Sequence, residues 1–468
     1  MVFREVILML VDIILAAAAL LTAAVVRFGV DEFSSTVDRL TTVVSLSLFI
    51  VIILFSSHLM EVYAFEKNTR RREILINILF ASATSFSLLS VVYYLYPDVM
   101  LGRGVLLLSL GLFIVLQFVW HTLFWIENRR PRFTRRVLVL GTGTLAAQLG
   151  EMIASSAGYF ALAGYASCAS ASVNGNSRST DREVDQLSVP PGDILGDADG
   201  LLEIATQART DLIVAALAER RGVFPLRDVL KCKLNGIQVM DAPAFYEMVQ
   251  GKLMLEAITP GWFIFSSGFR RTTIFNFSKR AVDIILSVGG LLLSMPVFPL
   301  IAIAIKLDSS GPIFFRQQRV GMKEKPFMLF KFRSMRQDAE QGTGAVWAGK
   351  NDPRVTSLGK FLRNTRIDEI PQLINVLKGE MSFVGPRPER PEFVEKLKQL
   401  IPYYSKRHFI KPGLTGWAQV RYPYGASVED AIEKLRYDLY YLKNCSPFMD
   451  TLIFFDTIKV VLFGKGVR

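Results

Sequence analysis

DPRVTSLGKFLRNTRIDEIPQLINVLKGEMSFVGPRPE, residues 352–389, is the stretch on which the reading of the whole chain turns. Within it Asp368 and Glu369 stand side by side before a short amphipathic run, 370–378, that ends at Gly379. Pro371 fits a helix only in the first turn, where its missing N–H would have had no partner. The acidic pair therefore falls at a helix N-terminus, where the backbone dipole favours negative charge. Adjacent helical residues point about 100° apart, so the two acids cannot have identical roles. Arg354, Arg363, Arg366, Arg387 and Arg390 surround the pair in sequence. Two carboxylates among so many guanidiniums suit a site that holds phosphate together with a divalent cation. An isolated Asp-Glu at a helix start is most often only a cap, so the wider pattern has to carry the weight.

That pattern is long. It runs through Asp368-Glu369-Ile370-Pro371-Gln372-Leu373, then NVLKGEMS at 375–382, then VGPRP at 384–388. FKFRSM at 330–335 and HFIKPGLTGWAQ at 408–419 belong with it. Together these stretches resemble the signature of the bacterial sugar transferase family, the monotopic polyprenyl-phosphate phosphoglycosyl transferases. The similarity extends from about residue 278 to the C-terminus. One departure stands out. Family members often carry Asn-Gly just after the Gln-Val, where this chain has Arg421-Tyr422-Pro423, which leaves the choice of sugar and base open.

The resemblance implies a definite chemistry. A nucleotide sugar, such as a UDP-sugar, carries a diphosphate whose charge repels nucleophiles. Mg²⁺ held by a carboxylate neutralises that charge, and arginines take the remaining oxygens. Asp368 is then the nucleophile, taking the sugar 1-phosphate as an acyl-phosphate and releasing the nucleoside monophosphate. Polyprenyl (undecaprenyl) phosphate displaces the carboxylate to give the diphosphate-linked sugar, the first step of an exopolysaccharide or glycoconjugate. Glu369 shares the metal with Asp368 or assists proton handling. Arg363, Arg387, Lys331 and Arg333 are the expected phosphate ligands. Lys411, Thr415, Gln419 and Arg421 are assigned to the nucleotide and sugar region, with Trp417 left open between stacking on a ligand and packing.

The totals agree with a membrane protein of two or three domains. The hydrophobic fraction is 51%, the mean hydropathy +0.33 and the net charge +12. Such a charge suits nucleic acid or an anionic membrane surface. The apolar segments decide for the membrane, and no nucleic acid is expected. Cys168, Cys232 and Cys445 lie far apart with no ligand spacing, which points to a reduced compartment. His58, His121 and His408 form no cluster, so a zinc site or a Ser-His-Asp triad has no support.

Four apolar segments, 6–26, 43–62, 74–96 and 105–126, fill the first quarter of the chain. Each is long enough for a hydrocarbon core of about 30 Å. With no small-residue cleavage site after it and three more segments to follow, the first reads as a span and not a signal peptide. Lys67, Arg70, Arg71 and Arg72 follow the second segment; Arg129, Arg130, Arg132, Arg135 and Arg136 follow the fourth. The other two connections carry one basic residue each, Arg39 and Arg103. The positive-inside rule then places both ends of this unit in the cytoplasm. Residues 136–262 alternate strand and helix patterns, with strands expected at 136–140, 161–166, 211–217 and 236–240, which implies a parallel Rossmann-like sheet. Gly141-Thr142-Gly143 is a partial dinucleotide fingerprint, without an acidic residue to end the second strand.

Residues 284–305 carry no charge, so a membrane span is the default. Pro296 and Pro299 interrupt them, and an interior proline costs a helix about 3 kcal/mol. A true crossing would also separate the site around Asp368 from cytoplasmic nucleotide sugars. A re-entrant helix that breaks at Ser294, Met295 and Pro296 removes both conflicts, and the resemblance implies the same. The expected architecture is α plus α/β: four transmembrane helices (1–130), a cytoplasmic Rossmann-like domain (136–262), and a monotopic α+β catalytic domain with its re-entrant helix (278–468). The expected location is the bacterial inner membrane, multi-pass, with the catalytic domain on the cytoplasmic face. Expected partners are nucleotide sugar, polyprenyl phosphate and membrane lipid; a homodimer is left open. Two rival readings are a membrane-tethered NAD-dependent sugar-nucleotide dehydratase or epimerase and a non-enzymatic regulator of polysaccharide export. The first would need a catalytic Tyr-x-x-x-Lys, and none follows the start of the α/β segment at residue 136; it also leaves the Asp368 pattern unexplained.

Overall fold

The computed structural model describes residues 2–29, 40–63, 71–100, 102–128, 134–156, 160–168, 188–217, 224–258, 260–269, 271–337, 339, 352–423, 425 and 427–463. The glycine-rich stretch 341–350, the loop after Cys168, and Arg39, Lys67, Arg70, Arg129, Arg130 and Arg132 lie outside the described residues. The chain divides into two compact units, Met1–Phe245 and Tyr246–Arg468.

The first unit opens with α1 (Val2–Phe28), α2 (Leu40–Leu59), α3 (Arg71–Leu95) and α4 (Arg103–Asn128). Ile7–Phe28, Arg71–Leu95 and Arg103–Glu127 are long and apolar enough to cross a membrane; the apolar part of α2, Val43–Leu59, is shorter. Large apolar side chains such as Ile14, Val51 and Val115 face outward, while Ala16, Ala19 and Ala23 are fully buried. Between helices in lipid there is no hydrophobic driving force, and small residues let the backbones approach. Asp12 on α1 is buried and accepts from Gln117 Nε2 of α4 at 2.6 Å, with His121 Nε2 3.1 Å away. A charge within an apolar helix is tolerated only when turned inward and paired in this way.

The sheet of the first unit follows: β1 (Arg135–Leu140), α5 (Thr144–Ser155), β2 (Phe160–Ser167), β3 (Ile194–Asp197), α6 (Leu201–Gln207), β4 (Leu212–Ala215), α7 (Leu226–Leu234), β5 (Gln238–Asp241) and then α8 (Ala242–Gln250). Its order is β3-β2-β1-β4-β5, and every pairing is parallel. Leu212 to Ala215 are all buried, as parallel strands covered on both faces must be. Gly141 has φ +126°, and a Cβ there would meet Ala216 O at 2.8 Å. The first glycine of the fingerprint is thus required by the close approach of two strand ends. β3 had no counterpart among the expected strands; it is short, half exposed and contains Gly196, so it lacks an apolar run.

The second unit takes in the end of α8 and continues with α9 (Pro260–Phe265), α10 (Thr273–Ser294) and α11 (Phe298–Asp308), the last two meeting at a bend of 64°. Ser294 Oγ turns back onto Gly290 O at 2.7 Å just before Pro296, whose nitrogen has no hydrogen to donate. An antiparallel hairpin, β6 (Phe314–Val320) and β7 (Pro326–Phe332), comes next, then α12 (Ser357–Asn364) and α13 (Gln372–Lys378). β8 (Ser382–Val384) pairs in parallel with β9 (Gly413–Thr415), with α14 (Pro391–Leu400) between them in sequence. α15 (Trp417–Arg421), α16 (Val428–Asn444) and α17 (Pro447–Phe463) complete the unit. Phe393, Leu397, Trp417, Leu439 and Ile453 meet in one core, so one face of α17 packs on protein.

The lower part of α10 is stitched into this core. Lys279 Nζ donates to Asp450 Oδ2 at 2.6 Å and to Val384 O at 3.0 Å. Arg280 donates to Val376 O and Leu377 O, both at 2.6 Å, satisfying carbonyls left open at the end of α13. Asp283 Oδ1 accepts from Phe383 N and Ser382 Oγ at 2.8 and 3.0 Å. At the other side, α16 starts with a reciprocal cap: Asp430 N donates to Ser427 Oγ and Ser427 N to Asp430 Oδ2. Ser427→Ala is expected to cost about 1 kcal/mol. Thermal unfolding in detergent checks it, with a shift of about 2–4 °C expected for a unit of this size.

Candidate active site

Arg366 adopts a left-handed conformation, φ +58°, and turns the chain into a 3-10 turn, Ile367–Glu369, immediately ahead of α13. Asp368 and Glu369 are thereby buried, at 5% and 7% exposure. Asn375 locks α13 against β7 as a strand neighbour would: its Oδ1 accepts from Phe330 N at 3.1 Å and its Nδ2 donates to Met328 O at 2.7 Å. This places Lys331 of β7 over the acidic pair. Lys331 Nζ is 2.8 Å from Glu369 Oε1 and 3.9 Å from Asp368 Oδ2. Arg387 Nη2 reaches the same Glu369 oxygen at 2.7 Å, and Arg366 Nη1 stands 3.8 Å from Glu369 Oε2.

The two acids are therefore in different electrostatic states. Burial pushes the Glu369 carboxyl up, but Arg387, Lys331 and Arg366 outweigh it and hold the group well below its ordinary value. Burial raises the Asp368 carboxyl, and the pull of Lys331 and Arg363 does not cancel it. Asp368 Oδ1 is buried without a hydrogen-bond partner. Glu369 is a fixed anion matched by cations; Asp368 is a more basic carboxylate with an open oxygen. Neighbouring carboxylates pushed apart in this way mark a division of labour.

Arg387 owes its place to glycines. β8 and β9 run so close that a Cβ on Gly385 would fall on Lys411 O, one on Gly413 on Gly385 N, and one on Gly416 on Gly385 O. The VGPRP and KPGLTGW stretches are thus two halves of one backbone contact. Arg363 donates from Nε to Ser334 Oγ at 2.9 Å, and its charge acts on Asp368.

Other sequence-predicted residues have different surroundings. Arg333 is buried and donates to Ser309 O at 2.6 Å and Ile305 O at 3.3 Å, closing the end of α11. Lys411 Nζ lies beside Gly379 and Arg280. Thr415 Oγ1 is 2.6 Å from Thr457 Oγ1. Gln419 Nε2 donates to Leu414 O at 3.1 Å. Arg421 pairs with Asp456 at 3.1 Å and lies 4.3 Å over the Trp417 ring. Trp417 is buried, donates to Gly251 O at 2.8 Å and stacks on Tyr440. Ser294, Met295 and Pro296 sit at the bend between α10 and α11. Arg366 and Asn375, which sequence reasoning had not assigned a role, join the site; both lie inside the quoted stretch.

Among the described residues no group of three or more His, Cys, Asp or Glu side chains is placed to hold a metal. Mg²⁺ does not need one, since it is commonly bound by one or two carboxylates together with substrate phosphates. The open Oδ1 of Asp368 fits that manner of binding. Glu369 Oε1 is already shared by two cations and fits it less well.

Residues 274–464 match the family described as Bacterial sugar transferase. The chain is 41% identical over 242 residues to UDP-N-acetylgalactosamine-undecaprenyl-phosphate N-acetylgalactosaminephosphotransferase of Aeromonas hydrophila, covering 52% of this chain and 56% of that protein. It is 48% identical to UDP-glucose:undecaprenyl-phosphate glucose-1-phosphate transferase of Escherichia coli K12, covering 38% and 39%. It is 44% identical to the exopolysaccharide production protein PSS of Rhizobium leguminosarum bv. phaseoli, covering 40% of this chain and 97% of that protein. The chain spans about half the length of the first two relatives.

Proposed function

We propose, since the chain belongs to the bacterial sugar transferase family, that it transfers a sugar 1-phosphate from a nucleotide sugar to undecaprenyl phosphate. The observation that carries this reading is the open, buried Oδ1 of Asp368 beside a Glu369 already neutralised by Lys331 and Arg387. Relatives named for UDP-glucose and UDP-N-acetylgalactosamine support a UDP-sugar as donor.

In the first half-reaction an oxygen of Asp368 attacks the phosphorus that bears the sugar. The bond from that phosphorus to the bridging oxygen breaks, and the nucleoside monophosphate leaves with the electron pair. In the second, a phosphate oxygen of undecaprenyl phosphate attacks the same phosphorus and restores the Asp368 carboxylate. Lys331, Arg363 and Arg387 hold phosphate oxygens and stabilise the charge that builds on them. Glu369 keeps Lys331 and Arg387 aimed at that position. Mg²⁺, held by Asp368 with Glu369 beside it, would neutralise the diphosphate. Burial keeps water from the acyl-phosphate.

We place the protein in the bacterial inner membrane with α1 to α4 as four spans. We read α10 and α11 as a re-entrant hairpin, entering and leaving by the cytoplasmic face on which Asp368 then lies. The bend at Pro296 and the cationic Lys279, Arg280 and Lys306 at the two ends of the hairpin support this. Incubation with UDP-sugars and undecaprenyl phosphate is expected to release one nucleoside monophosphate for each lipid-linked sugar formed. Release of the diphosphate would reject the reaction class. Labelling of a cysteine placed beside Asp368 from the outer face alone would reject the topology.

A further inference from the structure

We infer that the buried pair Arg407–Asp438 is a positioning device for Arg387, an inference that rests on the transfer reading only for its kinetic consequence. The loop carrying Arg387 has Pro386 on one side and Pro388 on the other, so it has few N–H groups with which to anchor itself. It is held by its carbonyls instead, and each has a donor. Pro386 O accepts from Gly413 N at 2.9 Å, Arg387 O from Arg407 Nη2 at 2.9 Å, Pro388 O from Arg319 Nη1 at 3.1 Å, and Glu389 O from Val320 N at 2.9 Å. Of these four carbonyl bonds, the one from Arg407 falls on Arg387 itself.

Arg407 is 5% exposed and Asp438 2%. Asp438 Oδ2 accepts from Arg407 Nε at 3.0 Å and lies 2.7 Å from Nη2, while Nη1 donates to Tyr404 OH at 2.8 Å. The guanidinium is therefore fixed on three sides. A buried ion pair is weak evidence for stability, because desolvation offsets most of its attraction. What this pair supplies is location: it holds the backbone of a residue whose side chain ends 2.7 Å from Glu369. Lysine at position 407 would keep the charge but has no planar fork with which to meet Asp438, Tyr404 and Arg387 together.

Two measurements on the full-length chain in detergent test this. In Arg407→Lys, hydrogen exchange at the Gly413 and Val320 amides, which donate to the Pro386 and Glu389 carbonyls of this loop, is expected to accelerate, with the sheet of the first unit unchanged. Unaltered exchange there would overturn the inference whatever the reaction proves to be. In the transfer assay Arg407→Lys is expected to lose activity on the order of 100-fold, the scale of a displaced clamp. Added to Arg387→Ala, the same change is expected to cost almost nothing more, since its effect runs through Arg387. Equal losses in both backgrounds would overturn the positioning role. Accelerated exchange in a chain that transfers no phosphosugar would instead count against the proposed reaction and uphold the positioning. Should Arg407→Lys fail to fold, Tyr404→Phe, which removes one anchor of the guanidinium, carries both measurements.

Discussion

Asp368→Asn is expected to lower phosphosugar transfer by about 10⁴-fold or more, the scale on which loss of a covalent nucleophile is felt. The same substitution is expected to leave folding intact or to strengthen it. Burial raises the Asp368 carboxyl, so above its ordinary pKa the folded protein bears a cost for keeping it ionised. An amide of the same shape does not bear that cost, and Oδ1 has no hydrogen bond to lose. Activity and melting temperature should therefore move independently, which separates a nucleophile from a structural acid. Wild-type protein mixed with nucleotide sugar in the absence of lipid acceptor should carry a phosphosugar on the peptide containing Asp368. If quenched samples never show that mass, the two-step reaction is wrong.

The second large effect is expected from Gly385→Ala, far smaller as a chemical change. A methyl group at this position falls on the carbonyl of Lys411, a backbone atom that cannot swing aside as a side-chain tip could. Overpacking a core costs about 1–3 kcal/mol where side chains can adjust. Between two strands it should reach the upper end of that range or pass it. Because Arg387 lies two residues on, a widened β8–β9 contact displaces its guanidinium from Glu369. Transfer is expected to fall at least on the order of 100-fold, with a lower melting temperature. A Gly385→Ala protein that melts and transfers like wild type would show that the backbones are not in this register.

How far the site can be read from sequence depends on where its residues lie. Asp368, Glu369 and Arg387 belong to one stretch of charges with few structural alternatives, and the fold brings them together with Lys331. The basic and polar residues of 408–421 are expected to be ligands, and the fold adds contacts within the protein that the sequence does not announce. These join Thr415 to Thr457, Gln419 to Leu414 O and Trp417 to Gly251 O, with Gln419 Oε1 left without a partner among the described residues. Their glycines matter more, and a glycine's close neighbour cannot be known before the fold is. Arg333 is singled out by the FKFRSM stretch; its Nη2 donates to carbonyls at the end of α11, a contact the sequence does not announce, while Nε and Nη1 have no partner among the described residues. Arg407 lies in the run Lys406-Arg407-His408, and Asp438 in a charged, tyrosine-rich helix, so both resemble solvated surface. Only long-range packing distinguishes the buried member of such a run. In the α/β region the four apolar strands could be read from their runs, but not β3, which has none.

The bent pair α10 and α11 is not a detachable tether. Lys279, Arg280 and Asp283 on α10 bind carbonyls of α13, the β8 strand and Asp450 of α17. Solubilising the protein by removing α10 and α11 would therefore pull the keystone from its arch. Detergents or lipids that tilt α10 should be felt at Asp368, so purification conditions belong among the variables of any rate measured on this protein.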